Sequence, residues 1–312
     1  MQRRDILTMA TAAALLPAVG FAQGGGSHAP TAFHKAMVGS IGVTVLHDGM
    51  VRRADATQGL VVDVPPAAVS AALQAAGIAG PGIDNPFNPT AVQTPAGLVL
   101  IDTGFGQNAP AGTGGLLASM RAAGLDPAAV TMVVFTHFHG DHIGGLLLPD
   151  GTPAFPKAAI KVPAAEWAYW TDAGEEARAI ETRQPAFANV RRRFAAYADR
   201  VERFAPGATV APGITAVTSN GHTPGHTSYL VADGNAQLLV IGDAVTTPAL
   251  FMANPEWYPN FDMEPAKAIA TRRALLDRAA TDRIPVVGYH FPLPGTGRVE
   301  RAGSGYRLVP AA

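Results

Sequence analysis

Residues 131–142 read TMVVFTHFHGDH, an apolar run followed by three histidines and one aspartate within six positions. The apolar run predicts a buried strand, so HFHGDH begins the loop at its carboxyl end, where functional side chains are often found. Buried without partners these polar side chains would cost free energy, and exposed to solvent they would have no reason to cluster. Gly140 and the pair Gly144-Gly145 allow the tight backbone path that such a loop needs. The segment therefore predicts a metal site.

Three further segments place polar side chains after predicted strands. GHTPGHT carries His222 and His226, the apolar run LLVIG is followed by Asp243, and PVVGY is followed by His290. Each alone has a simple structural explanation, as a turn residue or a histidine of the core. Together with HFHGDH they offer five imidazoles and two carboxylates, when one histidine of GHTPGHT is counted. One tetrahedral site binds fewer ligands than this, so the set favours a dinuclear site.

The remaining periodicities alternate between strands and helices. A strand-rich half, a helical segment and a second strand-rich half predict one α/β domain with layered sheets. The predicted strands are residues 41–47, 90–94, 98–102, 131–136, 160–162, 210–218, 227–232, 237–241 and 285–288, with a terminal hairpin within 299–309. The predicted helices are residues 65–76, 114–124, 164–172, 175–200 with a break near Pro185, and 266–280.

Composition excludes several classes of protein. The chain has 312 residues, a formal net charge of −1 and no cysteine, which rules out disulfides, thiolate metal sites and a cysteine nucleophile. With 48% hydrophobic and 15% charged residues it can bury a substantial core, so wholesale disorder is excluded. No dominant basic stretch favours a nucleic-acid partner.

The amino terminus reads as an export signal. Paired arginines at positions 3 and 4 precede a short apolar stretch that ends in small residues, which predicts a signal peptide over residues 1–22 of the twin-arginine type. Residues 6–22 are too short and too rich in Ala and Thr to predict a stable membrane anchor. Residues 23–39 are expected to form a flexible lead-in and residues 40–312 the folded domain. The mature protein is accordingly expected in the periplasm or outside the cell.

Over about residues 40–295 the chain resembles metallo-β-lactamase-fold hydrolases. The resemblance runs in order through DTG at residues 102–104, HFHGDH, GHTPGHT, the Gly-Asp pair ending at Asp243, and His290. Within that superfamily the segments FTHFHGDHIGGL, NGHTPGHTSYL and GYHFPLPG resemble the exported methyl parathion hydrolase-like group. The resemblance implies an αβ/βα sandwich, two mixed sheets flanked by helices, with the metals at the seam between the sheets.

The resemblance also implies a role for each polar residue. One metal would be bound by His137, His139 and His222. The second would be bound by Asp141, His142 and His290. Asp243 would bridge both metals together with a hydroxide, while His226 and Asp102 would orient ligands instead of binding metal, as supporting carboxylates often do. A simple turn residue is the alternative for Asp102.

Two divalent ions in such a site lower the pKa of a bridging water and polarise the bond under attack. Zinc suits the nitrogen and oxygen ligands, and manganese, cobalt or iron are alternatives. The expected reaction is hydrolysis, in which Asp243 holds the metals and Asp141 can also carry a proton. These two are the expected catalytic residues.

The motif leaves the substrate open. Apolar uncharged esters are favoured, namely lactones or aryl esters with organophosphate triesters as a second activity, and a dedicated phosphotriesterase is the alternative. A β-lactamase is less favoured because Asp243 supplies a bridging carboxylate that the similar β-lactamase subclass lacks. Thr246 stands where acyl-homoserine lactonases often carry a tyrosine, which weakens that assignment without excluding lactones. A metal-binding protein without activity is the alternative from a different class.

Aromatic residues of the helical segment are expected to line an apolar substrate pocket, although they could equally pack the helices on the sheet. The candidates are Phe105, Trp167, Tyr169, Trp170 and Phe187. The expected partners are a small-molecule ester and, from the resemblance, a second copy of the chain in a homodimer.

Overall fold

The structure is a computed structural model that describes residues 32–106 and 110–311. The predicted signal peptide at residues 1–22 lies outside the described residues. The strands are β1 (Phe33–Val38), β2 (Ile41–Leu46), β3 (Gly49–Arg53), β4 (Ile83–Phe87), β5 (Thr90–Thr94), β6 (Gly97–Ile101), β7 (Val130–Val134), β8 (Ala159–Pro163), β9 (Val201–Phe204), β10 (Thr209–Ala211), β11 (Ile214–Thr218), β12 (Thr227–Asp233), β13 (Ala236–Gly242), β14 (Val286–Gly288), β15 (Thr296–Ala302) and β16 (Gly305–Pro310). The α-helices are α1 (Pro66–Ala75), α2 (Leu116–Ala122), α3 (Gly140–Ile143), α4 (Ala164–Thr171), α5 (Ala173–Arg178), α6 (Gln184–Ala195) and α7 (Pro265–Asp282).

Two seven-stranded sheets form the middle of the molecule. Their strand orders are β1-β2-β5-β6-β7-β8-β9 and β10-β11-β12-β13-β14-β15-β16. Both sheets are mixed, because β6 to β9 run parallel in the first and β13 runs parallel to β14 in the second. Strands β3 and β4 pair with each other in a separate antiparallel ribbon.

Apolar side chains hold the layers together. Val43 and Val134 of the first sheet meet Tyr229 and Val240 of the second in one buried cluster between the sheets. Helices α2, α4 and α6 cover the outer face of the first sheet, and helices α1 and α7 cover the second. The expected αβ/βα sandwich, two mixed sheets flanked by helices, is thereby confirmed.

Several elements differ from the sequence-based expectation. The flexible lead-in predicted for residues 23–39 is wrong at its end, because β1 pairs antiparallel with β2 along its whole length. Strands β3, β4 and β9 were not predicted. The helix expected over residues 175–200 is divided into α5 and α6, and Pro185 lies in the first turn of α6, where a proline costs no backbone hydrogen bond.

The sheet topology gathers distant loops at one edge of the sandwich. HFHGDH follows β7, GHTPGHT connects β11 to β12, Asp243 follows β13 and His290 follows β14. The loop after β6 joins them through Asp102, whose backbone N–H donates to Val134 of β7. Within the described ranges, no helix combines the length and apolar character needed to cross a membrane.

Candidate metal centre

The side chains predicted as metal ligands meet at the seam between the sheets. They fall into two groups, and within each group one nitrogen or oxygen atom per residue lies within 4.8 Å of the others. The first group is His137, His139, His222 and Asp243. The second group is Asp141, His142 and His290. The structure therefore brings together the residues that the sequence analysis grouped.

In the first group the imidazoles converge on one point. His139 presents Nδ1, which lies 2.9 Å from Nε2 of His137 and 3.0 Å from Nε2 of His222. The Oδ2 atom of Asp243 lies 3.3 Å from Nε2 of His222. Three nitrogens and one carboxylate oxygen are the kind of donor set that binds a tetrahedral zinc ion.

Asp243 connects the two groups. Its Oδ2 atom lies 3.1 Å from Nε2 of His290, and its Oδ1 atom lies 3.4 Å from Nε2 of His142. Asp141 faces the same two imidazoles, with its Oδ2 atom 3.5 Å from each Nε2. One carboxylate thus reaches histidines of both groups, as expected for a bridging ligand.

Gly242 allows Asp243 to point into the site. Its backbone has a φ of +52°, and a Cβ at this position would lie 2.8 Å from Nε2 of His226. Any other residue would therefore combine an unfavourable backbone with a close contact. Glycine at this strand end lets the chain turn directly into the ligand.

Asp102 lies where an orienting carboxylate is expected. Its Oδ2 atom is 2.9 Å from Nδ1 of His142, which leaves Nε2 of that ring facing the site. The same carboxylate accepts hydrogen bonds from the N–H and the hydroxyl of Thr136, each at 2.8 Å. Asp102 therefore contacts a ligand from behind and belongs to neither group of converging donors.

His226 also lies beside the site, outside both groups. Its Nδ1 atom lies 3.1 Å from the carbonyl oxygen of Ser219, and its Nε2 atom accepts a hydrogen bond of 3.0 Å from the backbone N–H of Asp243. Burial lowers the pKa of His226 to about 3. The ring is therefore neutral at ordinary pH, as an acceptor at Nε2 must be.

One supporting pair was not predicted. Nδ1 of His222 lies 2.8 Å from Oδ1 of Asp262, and Nη2 of Arg272 donates to Oδ2 of Asp262 at 2.9 Å. Both partners are almost completely buried, and burial lowers the pKa of Arg272 although Asp262 opposes the shift. Asp262 lies forty positions from His222, so no local pattern in the sequence connects them.

Glu166 was also missed, and it connects the two histidine loops. Its carboxylate accepts from the N–H of Phe138 at 3.0 Å and the indole of Trp170 at 2.7 Å. It also accepts from the hydroxyl of Thr223 at 2.8 Å and the N–H of Gly225 at 2.9 Å. Burial raises the pKa of Glu166, and these four donors oppose that shift.

Burial controls the charge of two histidines in the first group. It lowers the pKa of His137 and of His139 well below the ordinary value, and neighbouring imidazoles add to the effect. A neutral imidazole keeps a lone pair for a metal, whereas a protonated one does not. These two rings are therefore ready to act as ligands.

Carboxylates dominate around the second group. Burial opposes a charge on His142, but Asp243 and Asp141 outweigh it and raise the pKa of His142 well above its ordinary value. Asp243 likewise raises the pKa of His290 against burial. The two imidazoles in turn hold the pKa of Asp243 well below its usual range, despite its burial. The carboxylates thus make the second group a favourable position for a positive charge, either a protonated imidazole or a bound cation.

The residues present fit bound cations. Nε2 of His142 and Oδ1 of Asp243 are buried and have no hydrogen-bond partner in the part of the chain that the structure describes. Buried polar atoms normally have a hydrogen-bond partner, so two buried atoms without one indicate that a bound group belongs between them. A cation between the two groups would satisfy both atoms, and the nitrogen and oxygen donors suit zinc and similar divalent ions.

The predicted aromatic pocket is corrected by the structure. Trp170 and Phe187 are completely buried, and their ring centroids lie 4.8 Å apart. Trp167 and Tyr169 are partly buried and pack against the same core cluster. Full burial against the sheet stabilises large rings more than a half-exposed position in a pocket wall. The alternative, that these rings pack the helices on the sheet, therefore applies.

The cavity beside the ligands has other walls. Its volume is about 270 Å³, and besides five of the ligands it is lined by Val51, Arg53, Leu60, Ile83, Asn85, Thr246, Thr247 and Phe261. The predicted Phe105 is not among these residues and packs edge-on against Phe87, with ring centroids 4.8 Å apart.

A larger cleft adjoins this cavity. Its volume is about 1080 Å³, and it shares Ile83, Thr247 and His290 with the smaller cavity. Its walls come from α1, the β3–β4 ribbon, the segment after β14 and the carboxyl-terminal hairpin, and they are largely apolar. None of the five predicted aromatic residues lines either the small cavity or this cleft.

Fold and ligands together define a family. Residues 85–289, which are more than half of the chain, match the family model described as Metallo-beta-lactamase superfamily. The chain belongs to the metallo-beta-lactamase superfamily, and each of its two His/Asp groups has a donor set that could hold a metal ion.

Individual relatives are similar over parts of the chain. An N-acyl homoserine lactonase, AttM, of Azorhizobium caulinodans is 30% identical over 189 residues, which are 57% of this chain and 64% of the relative. The Metallo-beta-lactamase domain-containing protein 1 of Mus musculus is 44% identical over 66 residues, 21% of this chain and 22% of the relative. The chain thus spans less than two thirds of either protein.

Two solved structures cover 90% of this chain and 97% of their own, each with a TM-score of 0.84. One is AidC, a dizinc quorum-quenching lactonase in complex with the product N-hexnoyl-L-homoserine, at 25% identity. The other is the hydrolase AbOPH in the beta lactamase superfamily, at 26% identity.

Proposed function

We propose that the chain is a dinuclear metal-dependent hydrolase of lactones or aryl esters, with organophosphate triesters as a second activity. One observation carries the proposal: Asp243 lies within 3.5 Å of histidine nitrogens of both ligand groups. Similarity to an acyl-homoserine lactonase and to the dizinc lactonase AidC supports the lactone part.

When bound by the two groups, divalent cations would polarise the scissile bond and make a bound water acidic at neutral pH. Asp141 is the carboxylate best placed to take up a proton, because its side chain is 19% exposed whereas Asp243 is 4% exposed. Asp102 and Asp262 keep the Nε2 atoms of His142 and His222 directed at the site, because each contacts the Nδ1 atom of its ring.

Thr246 is available to orient the substrate. Its side-chain hydroxyl is buried and has no hydrogen-bond partner among the described residues, and the residue lines the small cavity. The hydroxyl can therefore donate to an oxygen of a bound ester. This is the position at which acyl-homoserine lactonases often carry a tyrosine, so a shorter hydroxyl side chain would serve here.

The cavities support a small reacting group with an apolar substituent. The cavity of about 270 Å³ at the ligands suits a lactone ring or a small ester head, whereas pockets for whole ligands span about 300–1,000 Å³. The adjoining apolar cleft adds room for a substituent of the substrate.

A panel of four substrates tests the proposal on mature protein loaded with zinc or manganese. The substrates are an aryl ester, an aliphatic lactone, a dialkyl aryl phosphotriester and a cephalosporin, each with a chelator control. We expect the highest chelator-sensitive kcat/KM on the lactone or the aryl ester. A preference for the phosphotriester would establish the alternative of a dedicated phosphotriesterase, and a preference for the cephalosporin a β-lactamase. Stoichiometric metal without any turnover would establish a metal-binding protein.

Export through residues 1–22 and a homodimer belong to the same proposal. The paired arginines at positions 3 and 4 support export, so their replacement by lysine should leave the protein in the cytoplasm. Cell fractionation measures this, and sedimentation of the mature protein measures the homodimer.

A further inference from the structure

The β3–β4 ribbon forms one wall of the small cavity. Val51 pairs with Asn85 and Arg53 with Ile83, and all four residues line the cavity. Since alternate residues of a strand point to opposite faces, the intervening Arg52 points away from it.

Arg53 is held in place by neutral acceptors. Its Nε atom donates to the carbonyl of Asp55 at 3.1 Å, and its Nη2 atom donates to the carbonyl of Gln58 at 2.9 Å. The carboxylate of Asp55 itself accepts from the hydroxyl of Thr57 at 2.6 Å. In the part of the chain that the structure describes, the neighbouring Arg52 forms an ion pair with Asp84 at 2.7 Å. Arg53 forms no ion pair within 4.0 Å there. Arg53 therefore lines the cavity with its guanidinium held by two backbone carbonyls, near the Asp55 carboxylate but not in an ion pair with it.

We infer that Arg53 and Asn85 form a subsite for a second oxygen acceptor of the substrate, a carboxylate or a carbonyl next to the scissile ester or lactone group. A guanidinium held in one orientation recognises such oxygens with little loss of conformational freedom. The amide of Asn85 adds a donor on the same wall. The inference rests on the proposed function, because it names the substrate class of the same cavity.

The ligand side of the cavity would contact the reacting group of the substrate, and the ribbon wall would contact its second oxygen. His139, Asp141 and His290 line the cavity along with Arg53, so one molecule can contact the ligand groups and the ribbon together. A bare lactone uses the first contact alone, whereas a lactone with a second oxygen uses both. The subsite therefore affects substituted substrates selectively.

Three matched lactones test the subsite: an unsubstituted γ-lactone, the same ring with an acylamino group beside the carbonyl, and the same ring with a carboxymethyl group. We expect the wild type to prefer at least one of the substituted rings. Arg53→Met should lower kcat/KM by about 10- to 100-fold on the preferred ring and less than about two-fold on the unsubstituted one, as for loss of a hydrogen bond to a charged group. The two substituted rings distinguish a carbonyl from a carboxylate as the bound group.

Two further variants separate recognition from folding. Arg203→Met, at an exposed position on β9 that lines neither cavity, should leave the rates on all three lactones unchanged. Arg53→Lys keeps the charge and should retain part of the preference. An equal loss on all three rings in Arg53→Met, or no substituent preference in the wild type, would overturn the subsite.

Binding reports on the subsite independently of turnover. The matching lactams resist hydrolysis, and calorimetry on the metal-loaded protein measures their affinity. We expect Arg53→Met to weaken the substituted lactam by about 10-fold or more and the unsubstituted lactam hardly at all. If the wild type hydrolyses no lactone or ester, the proposed function fails, while selective lactam binding would still support the subsite. Equal lactam affinities in wild type and variant would overturn it.

Discussion

The Nδ1 atom of His222 lies 2.8 Å from Oδ1 of Asp262, although forty residues separate them along the chain. Asp262 also accepts a hydrogen bond from Arg272. Arg272 in turn donates at 3.0 Å to the carbonyl of Ala244, the residue that follows Asp243 in the chain. A single buried ion pair thus contacts the loops of two predicted metal ligands from behind. Such supporting contacts fix which nitrogen of a ring faces the metal.

Replacing Asp262 by asparagine tests this support. The amide keeps the shape but removes the charge and turns a donor toward Arg272. We expect the metal affinity to fall by about 10- to 100-fold, the usual effect of losing a partner of a ligand. Competition with a chromophoric chelator measures the affinity. Asp282→Asn, an exposed position on the same helix as Arg272, is the matched control and should bind metal like the wild type. Unchanged affinity in Asp262→Asn would remove the ion pair from the support of the site.

Replacing Asp243 by alanine tests the bridging role. Because Asp243 faces histidines of both groups, its loss should lower the metal content and kcat/KM together. The loss of activity should exceed about 100-fold, the upper range for residues that only support a ligand. Elemental analysis of the purified variant gives the metal content. Asp199→Ala, an exposed position, should change neither quantity. Near-normal activity with full metal content in Asp243→Ala would contradict the assignment.

The lowered pKa of His226 leads us to expect that the free energy of unfolding falls in mild acid. Its pKa is about 3 in the folded protein and near 6.5 in the unfolded chain, so below pH 6.5 the unfolded chain binds the extra proton. The contribution of His226 is therefore complete above pH 6.5 and is lost as the pH falls toward 3. Between pH 7 and pH 5 this amounts to about 2 kcal/mol of the free energy of unfolding.

His226→Gln keeps one acceptor and one donor without a titrating group. Denaturant unfolding with a chelator at pH 7 and pH 5 compares it with the wild type. We expect the wild type to lose about 2 kcal/mol more than the variant over this interval. Equal losses would show that His226 is not buried in its neutral form.

Phe187 tests whether the aromatic segment is core or pocket. Its side chain is completely buried, so Phe187→Ala should lower the free energy of unfolding by about 3–5 kcal/mol. At a temperature where the variant stays folded, kcat/KM should be close to that of the wild type. Ile180→Ala, at an exposed position, should change neither quantity. A changed substrate preference at unchanged stability would instead place Phe187 at the pocket.

Strong local patterns accounted for most of the sandwich, and weak ones were missed. Strands such as β7 and β13 are apolar runs that end in a turn or a ligand, so the sequence predicts them directly. Strand β4 reads IDNPF, and Asp, Asn and Pro all disfavour strands. It forms because β3 pairs with it, and the cavity wall that carries Arg53 and Asn85 was missed with it.

The sequence by itself determined the superfamily, the layered α/β fold and which side chains could bind metal, because ligand chemistry and strand ends are both local features. The tertiary structure decided that Asp262 supports His222 and that Glu166 connects the two histidine loops. It also decided that Trp170 lies in the core. Hydrogen-bond partners and burial depend on segments far apart in the chain, which meet only when the two sheets and their helices pack together.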